Sequence, residues 1–124
     1  MATPSGTQTP IGAEDSSVYL VTWILTTADH TGASLQMTEW ADRTVHAQSS
    51  AWGGATLAIE GSNDGANWLP LKSVADVTAI ALTADGMALL LELPRYIRPR
   101  LTTVGAAATV NVMIAIRRPT PVRK

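Results

Sequence analysis

The sequence predicts an all-β fold, a single β-sandwich, on three observations. Short β-branched and aromatic segments alternate apolar with polar residues. Turn signals rich in Asn, Asp and Gly separate them at spacings of roughly 8–12 residues, and helical periodicity is nearly absent. With 124 residues and 46% apolar content, the chain suits one domain with one core.

Taken in order, residues 1–17 (MATPSGTQTPIGAEDSS) are rich in Pro, Gly, Ser and Thr, with Ile11 as the one apolar anchor. Such a segment buries too little to offset the entropy of ordering, so an extended, mobile arm is expected there. Val18 to Thr27 (VYLVTWILTT) reads as a strand covered on both sides, because both of its faces are largely apolar. Leu35 to Trp40 and Arg43 to Gln48 are shorter strand candidates. A helix over Leu35 to Val45, through Met37, Trp40, Ala41 and Thr44, is the alternative, and Thr38, Thr44 and Val45 weaken it.

Thr56 to Glu60 alternates cleanly and leads into Ser62-Asn63-Asp64-Gly65, a turn in which glycine supplies a positive φ. Trp68 to Ser73 is the expected return strand. Val77 to Leu82 and Ala88 to Leu93 flank a second turn at Thr83–Gly86. Tyr96 to Thr103 and Thr109 to Ile116 flank a small-residue loop. About eight short antiparallel strands result, within a domain spanning residues 18–116. Residues 117–124 (RRPTPVRK) form an expected basic C-terminal arm, its prolines favouring extension.

Charge is divided sharply along the chain. Residues 1–94 carry ten acids and two bases, a balance of −8, whereas residues 95–124 carry seven bases and no acid, +7, for the net −1. That division suggests an acidic partner for the C-terminal part: nucleic acid, another protein or a second copy of this chain. Direct nucleic-acid binding is disfavoured, because Arg95 to Arg100 interleaves only Tyr96 and the isoelectric point is near 6.0.

Catalysis finds little footing. There is no cysteine, which removes thiol chemistry and disulfides. His30 and His46 have no metal-ligand spacing, and no nucleophile elbow or phosphate-binding glycine frame is present. Asn63-Asp64-Gly65 supplies far fewer oxygens than calcium takes and reads as a turn. No enzyme activity, cofactor or metal is expected. No run of about 18 apolar residues exists, so no membrane-spanning helix is expected, and residues 1–17 lack the features of a signal peptide. Trp23 and Trp68 sit in strand patterns and are expected in the core. Trp40 and Trp52 lie beside loops and are candidate exposed aromatics for stacking on a sugar or a partner.

Two segments carry a resemblance. Ala55 to Leu71 (ATLAIEGSNDGANWLPL) is a strand, an SNDG turn, a tryptophan and a return strand. Pro94 to Leu101 (PRYIRPRL) then leads through a small-residue loop into Val110 to Arg118. Together they resemble the small jelly-roll-like β-sandwich proteins of tailed-phage heads, the capsid decoration or cement proteins, over about half the chain. The resemblance implies a structural virion protein on the outer capsid surface, binding the major capsid protein and opposing the pressure of packaged DNA through many repeated contacts. It also implies a homo-oligomer, a dimer or a trimer. Arg95, Arg98, Arg100, Arg117, Arg118 and Ile11 are the expected partner-binding residues, and both arms are expected to order only on the capsid. The same hairpin followed by RYIR also resembles discoidin-type carbohydrate-binding domains. An adhesin module, with Trp40 or Trp52 exposed to sugar, is therefore one alternative, and a tail or neck structural protein of the same fold is another.

Overall fold

A computed structural model describes residues 3, 6–11, 18–37, 42–103 and 107–117. Among them run nine strands: β1 (Thr7–Ile11), β2 (Val18–Thr26), β3 (Leu35–Gln36), β4 (Asp42–Ala51), β5 (Thr56–Ser62), β6 (Leu69–Pro70), β7 (Gly86–Leu89), β8 (Tyr96–Thr103) and β9 (Thr109–Arg117). They form a five-stranded sheet ordered β1-β2-β9-β4-β7 and a four-stranded sheet ordered β3-β8-β5-β6. Every pairing is antiparallel. If β2 to β9 are lettered B to I, the orders read B-I-D-G and C-H-E-F, the strand order of a double-sheet jelly roll, with β1 added at one edge.

Alternation on the long strands builds the core. Val21, Trp23 and Leu25 of β2 face inward with Val112, Ile114 and Ile116 of β9 and Val45 and Ala47 of β4. From the other sheet, Leu57, Ile59, Ile97 and Leu101 meet them, all fully buried. This period of two is what a half-buried strand requires.

One side of the sandwich is stitched between its sheets. The Leu71 N–H donates to Ile59 O at 2.8 Å and the Ile80 N–H donates to Leu71 O at 3.0 Å. Ser73 then bridges Leu90, which extends β7. On the other side, residues 30–37 run along β8: Leu101 N–H donates to His30 O, Gly32 N–H to Pro99 O and Met37 N–H to Arg95 O.

The fold departs from the sequence reading in six places. The strand expected over Ala88 to Leu93 runs Gly86–Leu89, and the strand expected to be covered on both sides has one open face, with Ile24 55% exposed. Residues 1–17 are not wholly an arm outside the domain, since Thr7–Ile11 pairs with Val18–Thr22. Threonines are good strand formers, and backbone pairing secures the segment where apolar burial is scarce. Of the candidate strand Leu35 to Trp40, Leu35–Gln36 pairs with β8 and Met37 does not, while residues 38–40 lie outside the described residues. The return strand after the SNDG turn shrinks to Leu69–Pro70: Leu71 still donates to Ile59 O, but Lys72 and Ser73 turn away from β5 to bridge Ala79 and Leu90. Val77 to Leu82 supplies isolated bridges at Ala79 and Leu82 in place of a continuous strand. Residues 118–124, the remainder of the expected C-terminal arm, lie outside the described residues, while Arg117 ends β9.

Candidate partner-binding face

The outer face of the four-stranded sheet gathers the most concentrated chemistry. Along β8, Ile97, Pro99 and Leu101 point into the core, so Tyr96, Arg98 and Arg100 point out. The register sets Ser62 opposite Tyr96, Glu60 opposite Arg98 and Ala58 opposite Arg100. Glu60 therefore stands among outward guanidiniums and is 7% exposed. Its Oε1 accepts from Arg98 Nε at 2.9 Å and lies 2.8 Å from Nη2, while Oε2 accepts from Arg100 Nη1 at 3.0 Å. This is charge-assisted pairing, two nitrogens of Arg98 converging on one carboxylate oxygen and Arg100 taking the other.

Aromatic rings complete the arrangement. The Arg98 guanidinium lies 4.2 Å from the centroid of the Trp68 ring, and the Arg95 guanidinium lies 5.0 Å from that of Tyr96. Both distances fall within cation–π range. Trp68 is thus not a core filler, as strand patterning suggested, but a half-buried platform under Arg98. Arg95 is exposed and the Arg100 side chain is 41% exposed. Three guanidiniums against the carboxylates of Glu60 and of Asp64 in the adjoining hairpin leave the face with one positive charge in excess.

The SNDG hairpin frames this face. Gly65 sits at φ 76°, a left-handed conformation that a Cβ disfavours. Asp64 Oδ1 accepts from the Ala66 and Asn67 N–H groups, both at 2.8 Å, and Oδ2 accepts from Asn67 Nδ2 at 2.7 Å. Ser62 Oγ donates to Asp64 Oδ1 and accepts from the Gly65 N–H. Asn63 Oδ1 accepts from the Arg95 N–H at 2.8 Å, tying the turn to the start of β8. Ala55 to Leu71 and Pro94 to Leu101 therefore adjoin on one surface, while Val110 to Arg117, the last part of the resemblance, lies in the other sheet.

These bonds hold the Asp64 carboxyl far below the usual carboxylate range, the Asn67 N–H contributing most and the Ala66 N–H next. A depressed folded-state value contributes stability that is complete above the unfolded value of about 3.9 and is lost as pH falls through the folded one. Asp64→Ala is accordingly expected to melt below the wild type at pH 7. The gap between the two should close steadily as the pH is lowered from about 4, as followed by thermal melts across a pH series. A gap independent of pH would contradict the assignment.

The other candidate residues are scattered. Arg117 is exposed on the outer face of the five-stranded sheet, so the arginines grouped in sequence divide between opposite faces. Ile11 ends β1 opposite Val18, also in that sheet. Arg118 and Trp40 lie outside the described residues. Trp52 is not an open aromatic: it packs partly against the core, and its Nε1 donates to Asp85 Oδ1 at 2.8 Å. That bond, with a second from the Ser49 N–H, holds the Asp85 carboxyl below its ordinary value. The two histidines stand apart as well. The His30 ring meets Thr31 Oγ1 at 3.1 Å, next to β8, while His46 lies on β4 of the other sheet. Beside the hairpin runs a groove of about 450 Å3, lined by Asn63, Asn67, Leu69, Pro70, Lys72 and Glu92 among others. Lys72 and Glu92 pair across it at 3.0 Å.

Sequence reasoning missed Glu60 and the stacking role of Trp68. The outward period of Arg98 and Arg100 was readable, but the register that sets Glu60 opposite them joins residues 38 and 40 positions apart. No local pattern encodes that. The chain matches no family model, no curated protein and no solved structure. The fold makes it a jelly-roll sandwich, and the arginine–aromatic face is its most developed surface.

Proposed function

We propose that this chain is a structural virion protein, a capsid cement or decoration protein that binds the outer surface of a shell and braces neighbouring major capsid protein subunits. The observation that carries the reading is the arginine face. Arg95, Arg98 and Arg100 are held by Glu60, Trp68 and Tyr96 on the surface formed by the SNDG hairpin and β8. Guanidiniums positioned in advance lose less side-chain freedom when they meet carboxylates, and Arg presents a fork suited to them. An acidic shell surface repeated across a lattice turns each modest contact into high avidity. The jelly roll also suits a rigid brace, because pairing along both sheets leaves few open edges. Fold alone does not assign function, and the weight here rests on the face.

The glycan-binding alternative called for an accessible Trp40 or Trp52, and the Trp52 indole is engaged by Asp85. No observation favours that reading over the first.

Co-sedimentation with capsid shells assembled without this protein, across a salt series, tests the proposal. Saturable binding at a fixed ratio to the major capsid protein is expected, weakening as salt rises because exposed charges are screened beyond about 8–10 Å. Arg95→Glu with Arg100→Glu should reduce occupancy at least tenfold. Absence of binding at every salt concentration would overturn the cement reading, and attachment to tails or necks instead would place the protein there.

A further inference from the structure

The outer face of the five-stranded sheet is built unlike the arginine face. Its residues follow from the register: Leu20, Ala115 and Thr44 share one row, and Thr22, Met113, His46 and Met87 share the next. Leu20, Thr44, His46, Met87, Met113 and Ala115 line a shallow apolar depression of about 450 Å3. Met87 is 66% exposed, and Ile24 and Leu89 nearby are 55% and 46% exposed. No other element among the described residues packs over this face. Contiguous apolar surface of this kind on a soluble protein commonly marks an interface.

We infer that this face pairs with the same face of a second copy of the chain, giving a two-fold dimer with the sheets stacked back to back. Three features select a copy as the occupant. The first is charge: the register sets one acid and one base, Asp42 and Arg117, opposite each other at one rim, and no other Asp, Glu, Lys or Arg of the described strand residues falls on this face. A near-neutral face does not repel its own copy and offers a charged partner nothing to pair with. The second is symmetry. β9 is the third of the five strands, so a two-fold axis lying parallel to the sheet over Met113, midway between the stacked copies, sets the face against itself with β9 at the centre, as an isologous contact requires. The third is area. The five strands, of 5, 9, 10, 4 and 9 residues and about 4.8 Å apart, present roughly 590 Å2. Two such faces clear the ~1,000 Å2 total expected of a specific interface. The two methionines supply side chains that adapt to irregular packing.

This dimer stands independently of shell binding. If both hold, each assembly presents two arginine faces pointing away from each other.

Sedimentation equilibrium of the isolated full chain tests the inference with no shell present. A species of twice the 13.1 kDa chain mass is expected to accumulate between about 1 and 100 μM. Met87→Glu and Ile24→Glu, both at exposed positions and so expected to fold, should each weaken association at least a hundredfold. Leu69→Glu, 71% exposed on the other sheet, should leave it unchanged. A monomer throughout that range, a trimer, or a dimer indifferent to both face substitutions would overturn the inference.

Discussion

Trp23→Ala is expected to lower the free energy of unfolding by about 4 kcal/mol, the largest loss for any single substitution considered for this chain. Trp23 is 1% exposed and sits mid-strand on β2, facing the opposite sheet. Its Nε1 donates to Ala33 O at 3.0 Å, which fastens the segment after β2 beneath β8. Its ring also fills the space beside Gly6 and Gly32, where a Cβ would stand 2.8 Å from ring atoms. Truncation therefore opens a cavity, strands a carbonyl and loosens the contact with the N-terminal strand together. Trp23→Phe keeps most of the volume and loses the hydrogen bond, so about 2 kcal/mol is expected from it. Urea unfolding at unchanged slope measures both. A loss below about 1 kcal/mol for the alanine variant would contradict the placement of the ring.

Glu60→Ala is expected to cost about 2 kcal/mol. The carboxylate is nearly buried, and its removal leaves Arg98 and Arg100 adjacent without a counter-charge. Loss of one partner from a fully buried pair costs roughly 3–5 kcal/mol. Here the guanidinium side chains are 24% and 41% exposed, so solvent recovers part of that loss. The pairing itself is read by a double-mutant cycle: in an Arg100→Ala background, Glu60→Ala should cost measurably less than in the wild type. Equal costs in both backgrounds would show that the carboxylate and Arg100 are not coupled.

The strands most legible in the sequence were those dense in strand-forming residues between turn signals, whether their burial alternates, as in β8 and β9, or not, as in β5. Val18 to Thr27, Thr56 to Glu60, Tyr96 to Thr103 and Thr109 to Ile116 each match a strand to within two residues at either end. In these, one face must be apolar, and the pattern is written into the residues themselves. Elements fixed by partners were less legible. β1 has too few apolar side chains to announce itself and depends on backbone pairing with β2. Residues 71–74 and 79–82 are ordered by single bridges to each other, to β5 and to the extension of β7, which leave no periodicity. The jelly-roll strand order rests on pairings such as β2 with β9, which join Thr26 to Thr109 and Val18 to Arg117. Separations of that size carry no local signature.

The candidate site was legible in kind more than in place. The arginines of residues 95–100 were readable as a charged run with alternate outward positions. Their neutralising carboxylate and the Trp68 ring came from β5 and the hairpin, which only the pairing reveals, whereas Tyr96 is the sequence neighbour of Arg95. Arg117, grouped with them by charge, lies on the opposite face because β9 belongs to the other sheet. Asp64 was readable as a turn residue from its neighbours, since all of its bonds are local.

The most direct measurement is an electron cryo-microscopy difference map between shells with and without the bound protein. Density repeating at one kind of outer-surface lattice site is expected, with the face carrying Arg95, Arg98 and Arg100 turned toward the major capsid protein. No added density, or a contact made by a surface other than that face, would contradict the proposed role.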